Sequence, residues 1–317
     1  MKTWLCIFLL VPAICTAEIR YRMLLLESTN ISTLGSMGYR INSNGAVVGT
    51  YQATSYAIRG FLDTDAGGFV DLEAPTAGVV EIGGINDAGQ IALDFGIGLN
   101  TLPYRYTREV GYEALAHDIN IEYQVFGINN LGQVVGGNQN HAWRFTEGIG
   151  VEDLGAFWEG FSDARAINDN GWIAGTIDME IFLYHDGIAP QRLGYYGLVY
   201  GINNYGIVAG TAGLGAAPVV YSMHGSAGIA RVGDYGGSAV GINDRDQVVG
   251  DIGCCGTLGF IWTANEGLLE INSLVQTTNS VITGIGGIND QGQMAGGASV
   301  EQPDGSWKDV AIRLAAC

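Results

Sequence analysis

Seven times along the chain a short apolar run stops at an asparagine, passes through polar residues to a turn, and resumes as a second apolar run. In its fullest form the phrase reads Gly127-Ile128-Asn129-Asn130-Leu131-Gly132-Gln133-Val134-Val135-Gly136. The seven anchors Asn42, Asn86, Asn129, Asn168, Asn203, Asn243 and Asn289 lie 44, 43, 39, 35, 40 and 46 residues apart. Asparagine and aspartate bond backbone amides inside tight turns, and glycine takes the positive φ that other residues resist. Each phrase therefore predicts a β-hairpin. In the sixth copy Asp246 stands in the glycine's place, a mild exchange because aspartate tolerates the left-handed conformation.

A third apolar strand follows each hairpin, as in His141-Ala142-Trp143-Arg144-Phe145-Thr146, Ile181-Phe182-Leu183-Tyr184 and Gly259-Phe260-Ile261-Trp262-Thr263. Alternating aromatic and β-branched residues mark one strongly buried face. Trp143, Phe182 and Trp262 take equivalent core places in this reading. A fourth short strand ends each unit near Leu-Gly, as at Leu154-Gly155. Four strands at a period near 41 residues predict an all-β fold, a seven-bladed propeller of four-stranded blades. The seventh unit stops after its third strand, 310–314, whereas Ile19 to Leu26 is an apolar strand with no unit of its own. Supplying that strand to the last blade closes the ring and hides both edges. An open solenoid would need caps at both ends. An outer-membrane barrel would need strands about twice as long.

These phrases resemble the bacterial extracellular HAF-repeat family, named for a His-Ala-Phe at the start of the third strand. His141-Ala142-Trp143 is the nearest match here, and the Gly-Ile-Asn-Asp-x-Gly-Gln-Val-Val-Gly portion is the more faithful one. The resemblance runs over nearly all of the chain after its leader. It implies an exported, repeat-built propeller with no common activity. Some members carry a cell-surface sorting tail, which the ending Arg313-Leu314-Ala315-Ala316-Cys317 does not resemble.

Composition sharpens this picture in three places. Fifty glycines without a three-residue period exclude collagen and interrupt every window of helical length. Residues 1–17 read as a signal peptide: Lys2, an apolar core from Leu5 to Ile14, and the small-residue site Cys15-Thr16-Ala17. Residues 18–317 then form a single propeller domain, secreted to the extracellular space or periplasm. No later stretch is long and apolar enough for a membrane helix. The leader holds one side chain charged at pH 7, Lys2, so its removal takes the net charge from −18 to −19. Such an acidic protein repels nucleic acid and anionic lipid and suits a cation, a basic partner or a neutral glycan. Of five cysteines, Cys6 and Cys15 leave with the leader, so no disulfide framework remains. A disulfide between the adjacent Cys254 and Cys255 is expected. Cys317, at the far end of its strand, should reach neither.

Candidate chemistry lies where the units differ. In a propeller the blade-joining loops and the loops between second and third strands open on one face. That face collects His117, Asp118, Trp158, Glu159, Tyr195 and Tyr235, a candidate binding surface for a glycan, a protein or a cation. The Asn-Asp turns supply too few oxygens for a calcium loop, and four histidines in four units do not predict a metal site. Neither a nucleophile elbow nor a phosphate loop is present, and no cofactor is expected. The sequence thus points to a secreted, monomeric binding or scaffold module. A propeller-type hydrolase or lyase acting on an extracellular substrate is the alternative, and a purely structural surface component is a third.

Overall fold

The computed structural model describes residues 20–317, apart from 29–32, 56, 74–78, 98–99, 119–121, 139, 156–159, 214–216, 223–228, 233–235 and 254–257. Its local unit is the predicted hairpin. Asn129 shows how the sequence makes it: Oδ1 accepts from the amides of Leu131 at 3.1 Å and Gln133 at 2.9 Å. The turn glycine two residues further than Asn130 then takes φ +76°, as Gly45, Gly89, Gly171, Gly206 and Gly292 do at +76° to +81°. Asp246 adopts φ +58° in the sixth copy, as its residue type allows.

With Oδ1 spent inside the turn, the asparagine Nδ2 is free to leave it. Each donates to the main-chain carbonyl of the next anchor, from Asn42 to Asn86 and so on to Asn289. Asn289 donates back to Asn42, so the seven turns form a closed ring. A second girdle lies beside it. The side-chain oxygens of Asp87, Asn130, Asp169, Asn204, Asp244 and Asp290 each accept from the amide one repeat earlier, at 2.7 to 2.9 Å.

Antiparallel sheets radiate from this ring. The third unit is a plain example, with strands Tyr123–Ile128, Val134–Asn138, His141–Thr146 and Gly150–Asp153 paired in chain order. The last sheet holds Ser280–Ile288, Met294–Glu301 and Trp307–Ala316, completed on its outer side by Tyr21–Leu25. Tyr21 pairs Ala316 and Leu25 pairs Ile312, the closure expected of the N-terminal strand.

Among the described residues the strands make six sheets, not the seven expected. Five have four strands and one has seven, because Ile188–Ile202 is a single strand of 15 residues. Its first part pairs the fourth unit's third strand, as Arg192 with Phe182, and its second part pairs the fifth unit's second strand, as Val199 with Gly210. No chain break separates the two units there, which the sequence pattern of strand and loop did not foretell. Among the described residues the only helical segment is one 3₁₀ turn, Ile271–Ser273, and no helix is long and apolar enough to cross a membrane.

Neighbouring sheets pack through apolar layers, and burial of such surface is the main force holding the ring. Trp143, Phe182 and Phe260 stand opposite Gly136, Gly175 and Gly250 and are fully buried. Phe260 therefore holds the core place expected for Trp262, which lies two residues on and is only partly buried. A Cβ at Gly136 would meet the Trp143 ring at 2.5 Å, so the aromatic fits because the facing residue has no side chain. Buried arginines on third strands tie units together: Arg144 donates to Glu152 of its own sheet and to Asp186 of the next unit. Arg313 likewise bonds Gly45 and Asp65 across the ring closure.

Cys317 is disulfide-bonded. Its amide donates to the Arg20 carbonyl at 2.9 Å, so the chain's end lies beside the start of the N-terminal strand. Its partner, like the other three cysteines, lies outside the described residues.

Candidate axial site

Every unit's first strand runs inward along the axis and carries a β-bulge three residues before its anchor. The register slips there in all seven copies, for example between Val125 and Gly127 and between Ala164 and Ala166. A bulge re-aims a side chain out of the pleat. Gly83, Phe126, Arg165, Tyr200 and Val240, all at this position, line a cavity of about 210 Å³ on the axis. The anchor-preceding isoleucines, Ile41, Ile85, Ile128, Ile167, Ile202, Ile242 and Ile288, form its floor. The same seven isoleucines line a second cavity of about 170 Å³ towards the turns. An apolar ring thus separates two axial cavities of different character.

The turn-side cavity is walled by the anchor asparagines and the second girdle, in which amides alternate with carboxylates. Asn130 Nδ2 donates to both Asp87 and Asp169, and Asn204 Nδ2 to Asp169 and Asp244. Only Asp244 and Asp290 are neighbours without an amide between them. Among the described residues no group of three or more His, Cys, Asp or Glu is placed to hold a metal ion.

The other cavity carries the opposite charge. Between bulge and isoleucine six repeats have Gly84, Gly127, Ala166, Gly201, Gly241 and Gly287, whereas the first has Arg40. Arg40 Nη1 donates to the carbonyls of Tyr39 at 3.1 Å and Gly286 at 2.8 Å. Among the described residues it has no ion pair, and burial pulls its pKa below the ordinary arginine value. Arg165 lies with its guanidinium 4.3 Å from the Phe126 ring centre and donates to Asp163 at 3.0 Å. Its Nε is buried with no hydrogen-bond partner among the described residues. Arg40 also lines a cleft of about 400 Å³ between the first two units, with Tyr39, Thr50, Ile58, Val80, Glu81 and Ile82.

Two carboxylates sit further out, at matching places on second strands. Asp94 is buried, accepts from the Val125 amide at 2.9 Å, and has its pKa pushed up to about 7. Burial is the main cause; the Val125 bond opposes it, and the Glu81 and Glu122 charges add to it. Asp251 is raised by burial too, against bonds from the Ser238 and Asp251 amides.

Of the residues read from sequence as a binding surface, the described ones, His117, Asp118 and Tyr195, are not among those that line this cavity. His117 and Asp118 are exposed on the segment after the second unit. Tyr195 is half-buried in the long strand, its ring 5.7 Å from that of Tyr221. Trp158, Glu159, Tyr235, Cys254 and Cys255 lie outside the described residues. Sequence reasoning missed Arg40, Arg165 and Phe126. The available signal was a departure from the repeat inside a strand, at Arg40, whereas attention fell on departures in loops.

No family model and no curated protein matches the chain. Among solved structures it is similar to virginiamycin B lyase from Staphylococcus aureus, at 11% identity and a TM-score of 0.59, over 93% of this chain and 99% of that one. It is also similar to the β-propeller domain of the Trilobed protease from Pyrococcus furiosus. That match has 12% identity and a TM-score of 0.55, over 89% of this chain and 94% of that one. The fold is a β-propeller. At these identities the likeness extends to the fold alone.

Proposed function

We propose that this protein is an exported propeller of seven four-stranded units, akin to the HAF-repeat proteins, that captures a ligand in the axial cavity on its blade-joining side. Counting Ile188–Ile202 as the outer strand of one unit and the inner strand of the next makes the units seven. The observation that carries the binding reading is Arg40. Six repeats keep a glycine or alanine at that place, and a large cationic side chain there is not needed to build the unit. Binding sites depart from the scaffold that holds them. The test is thermal shift against glycan, peptide and divalent-cation panels, comparing the protein with Val240→Phe. That variant fills the cavity with the residue that the third repeat already carries at its bulge. A ligand should raise Tm and lose its effect in Val240→Phe. An undiminished shift in the variant would place binding elsewhere.

Catalysis by hydrolysis or elimination is the second reading, and Asp94 favours it. A carboxyl titrating near 7 is suited to general acid or base work. Turnover of a bound ligand that is lost in Asp94→Asn, with binding kept, would decide for it.

A further inference from the structure

The charge pattern along the axis specifies what kind of ligand the cavity takes, given the binding reading above. Two arginines line the cavity, Arg40 from the first repeat and Arg165 from the fourth. In a ring of seven, no two repeats stand further apart, so the cations face the cavity from opposite sides. No Asp or Glu is among its lining residues. Asp163 neutralises Arg165 from outside, while Arg40 is met only by two carbonyls. The cavity wall therefore carries about one uncompensated positive charge within a protein of net charge −18.

Arg40 is half-buried, and a charge drawn out of water without a counter-ion is costly. The four girdle carboxylates Asp87, Asp169, Asp244 and Asp290 do not offset it by contact, because the isoleucine ring stands between. Nor does Arg40 serve a need of the repeat, since five units manage with glycine and one with alanine. Guanidiniums present parallel donors that match a carboxylate's two oxygens. Phe126, Tyr200 and Val240 give the wall apolar surface for a small ring.

We infer that the axial cavity is a carboxylate-binding site for a monosaccharide-sized acid, with Arg40 as the principal anion-binding residue and Arg165 as its partner across the ring. One net positive charge suits a monoanion, not a dianion. The isoleucine ring sets the depth of insertion, and the acidic girdle beyond it repels an anion that would pass through.

The experiment is calorimetric titration of the protein with galacturonate and glucuronate, against glucose and inorganic phosphate, at 20 and 200 mM salt. Uronate should bind and glucose should not, with weaker binding at the higher salt. Arg40→Gly restores the residue found in most repeats and should fold normally, yet lose about ten- to a hundred-fold in uronate affinity. Arg40→Lys should retain part of it, and Arg165→Val should lose a smaller part. Phosphate binding more tightly than uronate overturns the carboxylate assignment. Glucose binding as well as uronate, abolished by Val240→Phe but untouched by Arg40→Gly, overturns the anion site and leaves the cavity reading standing. Uronate binding that survives Val240→Phe overturns both.

Discussion

Asn289 Nδ2 donates to the main-chain carbonyl of Asn42 at 2.8 Å, joining residues 247 positions apart in the chain. The same side chain donates to Gln293 Oε1 at 2.8 Å and accepts from the amides of Gln291 and Gln293. One asparagine thus shapes its own turn and closes the ring on the first. Asn289→Ala takes one of two donors from the Asn42 carbonyl, which keeps the Gly45 amide, and strands the part-buried amides of Gln291 and Gln293, an unmet group of this kind costing about 1–3 kcal/mol. We expect a loss of at least about 2 kcal/mol in urea denaturation. A change under about 0.5 kcal/mol would mean that water replaces the bond.

The fifth and sixth turns contain a compensated pair. Asn203 has Ile207 four residues on, where Asn86, Asn129, Asn243 and Asn289 each have a glutamine that takes the second amide hydrogen. Asp246 of the next turn supplies the acceptor instead, Asn203 Nδ2 donating to its Oδ1 at 2.8 Å. Asp246→Gly alone relieves a left-handed residue but leaves that donor unmet, and should be neutral or destabilising. Combined with Ile207→Gln it should exceed the wild type in stability. A double-mutant cycle that is additive within about 0.3 kcal/mol would refute the coupling.

Asp94 makes stability depend on pH. Its folded pKa, about 7, lies above the ordinary value of 3.8, so the folded state binds the proton more tightly. Its contribution is full at low pH, falls as pH rises from about 4 to 7, and levels above that. Asp94→Asn keeps an acceptor for the Val125 amide and carries no charge. We expect it to be more stable than the wild type at pH 8, by the order of a few kcal/mol, and the difference to vanish near pH 4. Equal denaturation midpoints across that range would show the carboxylate to be solvated.

Asp186 acts in the opposite sense. Its hydrogen bonds from Arg144 hold its carboxyl below the ordinary 3.8, and Tyr184 adds to the effect. The stabilisation is present above the ordinary value and is lost as pH falls through the depressed one. Asp186→Asn should lower stability at pH 7 and flatten part of the acid limb, the two proteins converging as pH falls through the depressed value. Midpoints measured from pH 5 to 2.5 on both proteins test this, and parallel curves would remove Asp186 from the account.

How far all this was legible in the sequence varies by element. The turns were fully legible, because Asn129, Gly132 and their counterparts act through local rules of turn geometry that recur in each copy. The N-terminal strand could be placed by counting, since one unit lacked a strand and one strand lacked a unit. The axial cavity was not legible. Whether Phe126 or Arg165 points to the core or to the axis depends on a one-residue bulge, and alternation of apolar and polar residues assumes there is none. The place of Phe260 was missed for a related reason, a two-residue offset of register within a third strand. The raised pKa of Asp94 arises from the packing of one unit on the next, which no local pattern encodes.

The strand Ile188–Ile202 has a consequence for how the ring can be re-cut. A circular permutant moves the chain ends to a new joint and sews the old ones together. Ends opened after Tyr196 would divide a strand that two sheets share, so both would lose pairing at once. The fourth and fifth units are in this sense one building block, and a ring assembled from fragments has to receive them as a pair.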